Sequence, residues 1–187
     1  MAVGNDVRWA RGAPVDTSAV KWLAVLRVVI GLVFLWAFFD KLFGLGYATR
    51  PQAAWLNGGS PTKGFLSHVK AGPFESLSHT IAGAWWADWL FMIGLAGIGI
   101  AVTLGVGLWV SAVSGTVMLL LMWAAEWPPA QLTSAGTPTG STNPLLDYHV
   151  VYALVLIVLA ATHAGDAWGL GRWWGELGAV RRNRWLR

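Results

Sequence analysis

The residues of this sequence that could do chemistry are ionisable side chains lying within or beside long apolar runs. One group comes from four different runs: Asp40, Lys41, Asp88, Glu126, Asp147, Tyr148, His149 and Tyr152. Charge at membrane depth costs a few kcal/mol or more unless it meets a partner, a water cavity or an interface. His149 and Tyr152 also share a helix face by spacing. The group therefore predicts a proton-handling pocket open to one side of a membrane.

A second group lies toward the opposite side and comprises Arg27, His163 and Asp166. By residue counting, Arg27 and His163 lie at similar depths, and Asp166 can neighbour His163 on one helix face. With Arg27 as donor and His163 as the protonatable group, this set predicts an anionic or quinone-carbonyl site.

Structural alternatives exist for both groups. Arg27 can extend its charge to the headgroups while His163 caps a helix end. In the other group, Lys41 can form a salt bridge with one of the carboxylates. These alternatives and the functional hypotheses both stay open at the level of sequence.

Several kinds of site are disfavoured. The chain has no cysteine, which removes disulfides, thiolate metal sites and cysteine-based sulfur chemistry. His149 and His163 are about 21 Å apart along one helix and cannot ligate one haem iron. No metal-ligand spacing, phosphate loop or nucleophile motif is found, so neither haem nor metal is expected.

The amino-acid composition indicates which kind of fold positions these residues. The chain has 187 residues, of which 56% are hydrophobic and 12% charged, whereas a soluble domain carries about 25% charge. Apolar runs predict spans at about 22–43, 86–104, 108–127 and 145–164, with a turn at Gly105-Val106-Gly107. The predicted fold class is an all-α membrane protein, a four-helix transmembrane bundle.

Lys and Arg predict its orientation. Eight lie on the side shared by the termini: Arg8, Arg11, Lys21, Arg172, Arg181, Arg182, Arg184 and Arg187. The opposite loops carry few, so both termini are predicted to be cytoplasmic. Residues 1–20 form the cytoplasmic N-terminal segment, 21–166 the membrane domain, and 167–187 a basic cytoplasmic tail expected to bind anionic headgroups.

Sequence patterns also predict local structure and helix packing beyond the four spans themselves. The external loop 44–85 predicts two short interfacial helices, the first with Ser60 as N-cap. Small-residue pairs, Gly97 with Ala101 and Ser111 with Gly115, predict close packing of the second and third spans against each other.

Three stretches resemble a known family. The first span contains Leu26-Arg27-Val28-Val29-Ile30-Gly31 and Phe39-Asp40-Lys41-Leu42-Phe43. The external loop reads Trp55-Leu56-Asn57-Gly58-Gly59-Ser60-Pro61-Thr62-Lys63-Gly64-Phe65-Leu66, and Asn143-Pro144-Leu145-Leu146-Asp147-Tyr148-His149 precedes the fourth span. Together they resemble the DoxX family of small four-helix bacterial membrane proteins. The match is to the branch related to DoxD, the membrane subunit of thiosulfate:quinone oxidoreductase.

The resemblance implies a multi-pass subunit of the bacterial cytoplasmic (inner) membrane that works in sulfur-compound:quinone electron transfer. Quinone would be the cofactor and would carry the redox chemistry. Lys41 and Asp40 are the predicted polar anchors and His149 the proton carrier, with quinone-binding roles for Arg27, Asp88, Tyr152 and His163. The alternative is a non-catalytic accessory or scaffold subunit of a larger respiratory or oxidative-stress complex.

Other classes of function fit less well. Between the two polar groups the spans are almost purely apolar, which disfavours a continuous path for a transporter or channel. Nucleic-acid binding is disfavoured because the basic tail is short and lies beside the membrane. The expected partners are the lipid bilayer and protein subunits.

Overall fold

A computed structural model describes residues 17–186, and within this range the chain is helical with no β-strand. Residues 1–16 and Arg187 lie outside the described residues, together with the predictions made for Arg8 and Arg11. The α-helices, in chain order, are α1 (Thr17–Phe43), α2 (Lys63–Leu66), α3 (Glu75–Ile81), α4 (Trp85–Leu104), α5 (Leu108–Glu126), α6 (Tyr148–Ala161), α7 (Gly171–Glu176) and α8 (Gly178–Arg182).

Three of these helices, α1, α4 and α5, are long and apolar enough to cross a membrane, and α6 is a shorter apolar helix. Three predicted spans are therefore confirmed as long apolar helices. The fourth is shorter than predicted for a local reason. Asp147 caps its first turn, and His163 takes a left-handed conformation (φ 50°) just after its last turn. The short 3-10 helix Ala164–Asp166 continues the chain in the same region.

The predicted turn between the second and third runs is confirmed. Gly105 (φ 76°) ends α4 and its N–H donates to the carbonyls of Ala101 and Val102. Gly107 (φ 56°) then starts α5. Both residues occupy the left-handed region, which glycine enters without steric cost.

The four apolar helices run alternately up and down. α1 packs mainly on α4 and α5 mainly on α6, whereas α1 and α6 touch at few positions. The Arg27 end of the bundle contains the Gly105–Gly107 turn and the C-terminus of α6. The His149 end contains Phe43, Trp85, Glu126 and Tyr148. A core of buried side chains, including Phe34, Met92, Ile98, Leu119 and Leu156, lies between the two ends.

The predicted small-residue packing of α4 on α5 is partly wrong. Gly97 is exposed, and a Cβ there would meet no atom within 4 Å. Close approach occurs instead between α1 and α4, where a Cβ at Gly31 would lie 2.7 Å from the backbone nitrogen of Thr103. Spacing identifies small residues but does not indicate which neighbouring helix each one faces.

The segment between α1 and α4 contains the two predicted short helices. α2 begins after Thr62 rather than after Ser60. Ser60 Oγ still accepts a hydrogen bond from the Lys63 N–H at 3.1 Å, as expected of a residue that caps a first turn. α3 is the second short helix of this segment. Two 3-10 helices, Pro51–Ala53 and Trp55–Asn57, precede them.

Candidate functional site

Arg27 joins three parts of the chain at one end of the bundle and is fully buried, with 0% of its surface exposed. Its Nη1 donates to the carbonyl oxygens of Val102, at 2.9 Å, and of Thr103. Its Nη2 donates to Trp168 at 2.9 Å and to Ala167 at 3.5 Å. The last carbonyls of a helix lack intrahelical partners and carry partial negative charge. Arg27 therefore caps α4 and fastens the segment after α6 to it.

Arg27 and His163 were predicted to line one site, and they share no hydrogen bond among residues 17–186. His163 is exposed, and its backbone ends α6. Arg27 does not extend toward headgroups either, because the bundle encloses its guanidinium. Backbone carbonyls were available partners for the arginine, and a sequence pattern of side chains does not reveal them.

Asp88, in the first turn of α4, is buried and holds the preceding segment in place. Its Oδ1 accepts hydrogen bonds from Ser60 Oγ at 2.9 Å, from Thr62 Oγ1 at 2.6 Å and from the Thr62 backbone N–H at 3.0 Å. Thr62 Oγ1 in turn accepts from the Gly83 N–H at 3.3 Å. These bonds satisfy the buried carboxylate and attach the start of α2 to the bundle.

Asp40 and Lys41 are neighbours in α1 with different surroundings. Asp40 is 2% exposed, and its Oδ1 accepts from the Tyr47 N–H at 3.4 Å. The ammonium of Lys41 lies 5.9 Å from the centre of the Phe91 ring, in the range of a cation–π contact. The alternative in which Lys41 forms a salt bridge with a carboxylate is not found among residues 17–186.

His149 is fully buried and is oriented by Asp147, two residues before it. Its Nδ1 lies 2.8 Å from Asp147 Oδ2. Asp147 Oδ1 accepts from the N–H groups of His149, at 3.0 Å, and Val150, at 3.3 Å. One carboxylate therefore caps α6 and fixes the imidazole, which leaves Nε2 pointing away from it.

Two tyrosines and a glutamate adjoin this pair. Tyr148 OH donates to Glu126 Oε1 at 3.3 Å and so connects α5 with α6. Tyr152, a predicted site residue, packs its ring 6.0 Å from that of Tyr148 and against the core. Glu126 is exposed whereas His149 is buried, so the set extends from the protein surface to the bundle interior.

Glu126, Asp147 and His149 also meet a distance condition for a cation. One potential ligand atom from each lies within 4.8 Å of the other two. In the described structure His149 Nδ1 and Asp147 Oδ2 already share a hydrogen bond, and Glu126 accepts one from Tyr148. The expectation that no metal is required stays a prediction.

Three buried polar atoms at the His149 end have no hydrogen-bond partner: Asp40 Oδ2, Trp123 Nε1 and His149 Nε2. They come from α1, α5 and α6. Counting 1.5 Å of rise per residue, each residue lies about 18–22 Å along its helix from the Arg27 end. An acceptor, a donor and an imidazole nitrogen therefore lie at one level of the interior.

Two features of this site were not predicted from the sequence. One is the buried N–H of Trp123. The other is the role of Asp147, which was included in the predicted pocket but not identified as the group that orients His149. Its position immediately before a long apolar helix is an N-cap signal and indicated part of this role.

Comparison with family models, curated proteins and solved structures finds no match for this chain. The similarity to the DoxX family therefore stays a prediction from the residues quoted above.

Proposed function

We propose that this chain is a small subunit of a quinone-linked redox system and that the His149 end of the bundle binds the quinone head. The observation that carries the proposal is the set of unpartnered atoms on Asp40, Trp123 and His149. A buried polar atom without a partner costs about 1–3 kcal/mol. Such atoms in a native structure call for an explanation such as a water molecule or a ligand.

A quinone head is complementary to these three atoms. Each quinone oxygen accepts a hydrogen bond, and the indole N–H of Trp123 can supply one. After reduction the quinol hydroxyls donate instead, and Asp40 Oδ2 and His149 Nε2 can accept. The same three atoms therefore suit both forms of the molecule.

The overall reaction is a two-electron transfer. Two thiosulfate ions join through a new S–S bond to form tetrathionate and give up two electrons through a partner subunit. The quinone takes these two electrons with two protons to become quinol. The quinone supplies the redox chemistry. His149, Asp147 and the exposed Glu126 exchange protons between the quinone oxygen and the outside. Lys41, beside Asp40, adds positive charge next to the head.

A route for the quinone is the seam between α1 and α6. These two helices touch at few positions, whereas α1–α4 and α5–α6 are closely packed. Asp40 and His149 belong to the two helices that border the seam. Parting them would let a quinone head enter from the lipid without breaking either packed pair.

The proposal includes the topology. The four apolar helices cross the bacterial cytoplasmic membrane, both chain ends are cytoplasmic, and the His149 end faces outward. The supporting observations are the alternating helix directions and the Lys and Arg distribution in the sequence. The segment between α1 and α4 would then lie at the outer interface.

Quinone content tests the proposal. The full chain is purified in native lipid discs, and bound quinone is extracted and quantified. Trp123→Phe removes the donor and keeps an aromatic ring, so occupancy at limiting quinone is expected to fall about tenfold. Trp89→Phe is the matched control, because Trp89 is 54% exposed on α4. Wild-type protein free of quinone, with no quinone reduction on adding thiosulfate or sulfite in native membranes, would overturn the proposal.

A second candidate is a non-catalytic accessory subunit, and the contacts of Arg27 and Asp88 favour it. Both groups bind the chain's own backbone and loop, as expected of a scaffold. This candidate predicts that the chain co-purifies with a larger respiratory complex. It also predicts that Asp40→Asn and His149→Gln leave the activity of that complex unchanged.

A further inference from the structure

A groove of ≈ 560 Å³ runs along the surface of α5 near the Arg27 end. It is lined by Trp109, Val110, Val113, Ser114 and Trp185. The hydroxyl of Ser114 donates to the Val110 carbonyl at 2.8 Å, so its hydrogen is not offered to the groove. Ser114 lies about 9 Å along α5 from its first residue, so the groove extends from the helix end toward the hydrocarbon. Its lining suits an apolar chain.

The end of the described chain forms one wall of this groove. The 3-10 helix Arg184–Leu186 returns to pack on α5. Trp174 Nε1 donates to the Leu186 carbonyl at 2.6 Å and holds this segment in place. Trp185 is 64% exposed beside Trp109. Tryptophan rings are enriched at the level of lipid headgroups.

Two arginines precede the segment that carries Trp185. Arg181 and Arg182 are exposed in the last turn of α8, which contacts the segment carrying Trp185. Neither arginine forms an ion pair within residues 17–186, where the ion pair found lies at the opposite end of the bundle. From residue 177 to the C-terminus the sequence has no acidic residue. A guanidinium pair without a carboxylate favours a phosphate group.

We propose that this groove and the two arginines form a binding site for one anionic phospholipid. An acyl chain lies against Val110 and Val113 between the two tryptophan rings, and the phosphate is bound by Arg181 and Arg182. The sequence predicted diffuse attraction of the whole tail to anionic headgroups. The structure adds a defined place for one lipid, and the site is independent of the quinone proposal at the other end.

The charge of the ligand distinguishes an anionic phospholipid from two other possible occupants of the groove. The tail of a quinone would fit the apolar groove, but its neutral head gives no reason for two adjacent arginines. A second copy of the chain would place like charges together and would need acidic residues to face them. The anionic phospholipid satisfies both the apolar and the charged part of the site.

Native mass spectrometry of the full chain, with lipids of identical acyl chains, tests the proposal. Phosphatidylglycerol is expected to bind at least about tenfold more tightly than phosphatidylcholine, because each arginine at a membrane surface contributes to anion binding. The double variant Arg181→Gln, Arg182→Gln should reduce this preference to less than about twofold. Arg50→Gln, an exposed arginine at the other end of the bundle, should retain it.

A second pair of variants tests the groove. Val113→Trp fills it and should weaken binding of both lipids, whereas Ile93→Trp on the exposed face of α4 should not. Equal binding of the two lipids by the wild type would overturn the proposal. So would displacement of phosphatidylglycerol by equimolar quinone, or a lipid-free dimer that Val113→Trp dissociates.

Discussion

The guanidinium of Arg27 donates a hydrogen bond of 2.9 Å to the carbonyl oxygen of Val102. A charged side chain of α1 thereby caps the C-terminus of α4. The polar residues of this chain have two kinds of role. Arg27 and Asp88 hold the architecture, although Arg27 Nε has no partner of its own. Asp40, Trp123 and His149 leave three atoms without partners at one level near the other end of the bundle.

Removing the arginine should destabilise the bundle. Arg27→Met removes the donors that Arg27 supplies to the carbonyls of Thr103 and Trp168, so the free energy of unfolding is expected to fall by about 2–4 kcal/mol. Arg27→Lys should lower the free energy of unfolding by less, because the lysine ammonium can still donate to some of these carbonyls. Unfolding of the two purified variants and the wild type in detergent measures both losses of stability. Arg50→Met, in an exposed turn, should have little effect. An Arg27→Met variant as stable as wild type would contradict the capping role.

Gly31 and Gly99 should tolerate no side chain where α1 meets α4. A Cβ at Gly31 would lie 2.9 Å from Thr103 Cα, so Gly31→Ala must move the helices apart and should cost about 1–3 kcal/mol. Gly97→Ala is the matched control, since its added methyl meets nothing within 4 Å. That control should be neutral or slightly stabilising, because alanine favours a helix. Similar losses of stability in both variants would refute the packing described for α1 and α4.

Asp88 should control the order of the segment before α4. Asp88→Ala removes the acceptor for the hydroxyl hydrogen of Ser60 and for the Thr62 backbone N–H. Local opening should become easier, so trypsin should cleave after Lys63 at least about tenfold faster while the four apolar helices stay folded. Glu176→Gln, an exposed change at the other end, should leave the rate unaltered. Unchanged cleavage in Asp88→Ala would show that other contacts hold the segment.

Asp147 has two roles that two substitutions should separate. Asparagine is also a good N-cap, so Asp147→Asn should keep α6 within about 0.5 kcal/mol of wild-type stability, whereas Asp147→Ala should cost about 1–2 kcal/mol. Both variants remove the carboxylate that orients His149, so both should lower quinone occupancy. Unfolding and quinone extraction on the same samples measure the two effects. If occupancy followed stability rather than the carboxylate, His149 would have no direct contact with the quinone.

The sequence alone predicted the long apolar helices, the Gly105–Gly107 turn and the two short helices before α4. These features are local. A long uncharged run must satisfy its backbone hydrogen bonds within itself in lipid, so it forms a helix. Gly105 and Gly107 allow the left-handed conformations that a tight turn requires. The polar residues at the two ends of the bundle were also recognisable, because charge beside an apolar run is costly and therefore conspicuous.

The tertiary structure alone decided what each polar residue binds. Arg27 and Val102 lie far apart in the sequence, as do Asp88 and Thr62, and the acceptors of Arg27 are backbone carbonyls that no side-chain pattern marks. The direction of Trp123, and hence the burial of its N–H, likewise depends on how α5 is rotated against its neighbours. Apolar side chains face lipid and protein with nearly equal ease, so hydropathy does not determine that rotation. Packing determines it, and packing thereby selects which polar atoms are left to bind a ligand.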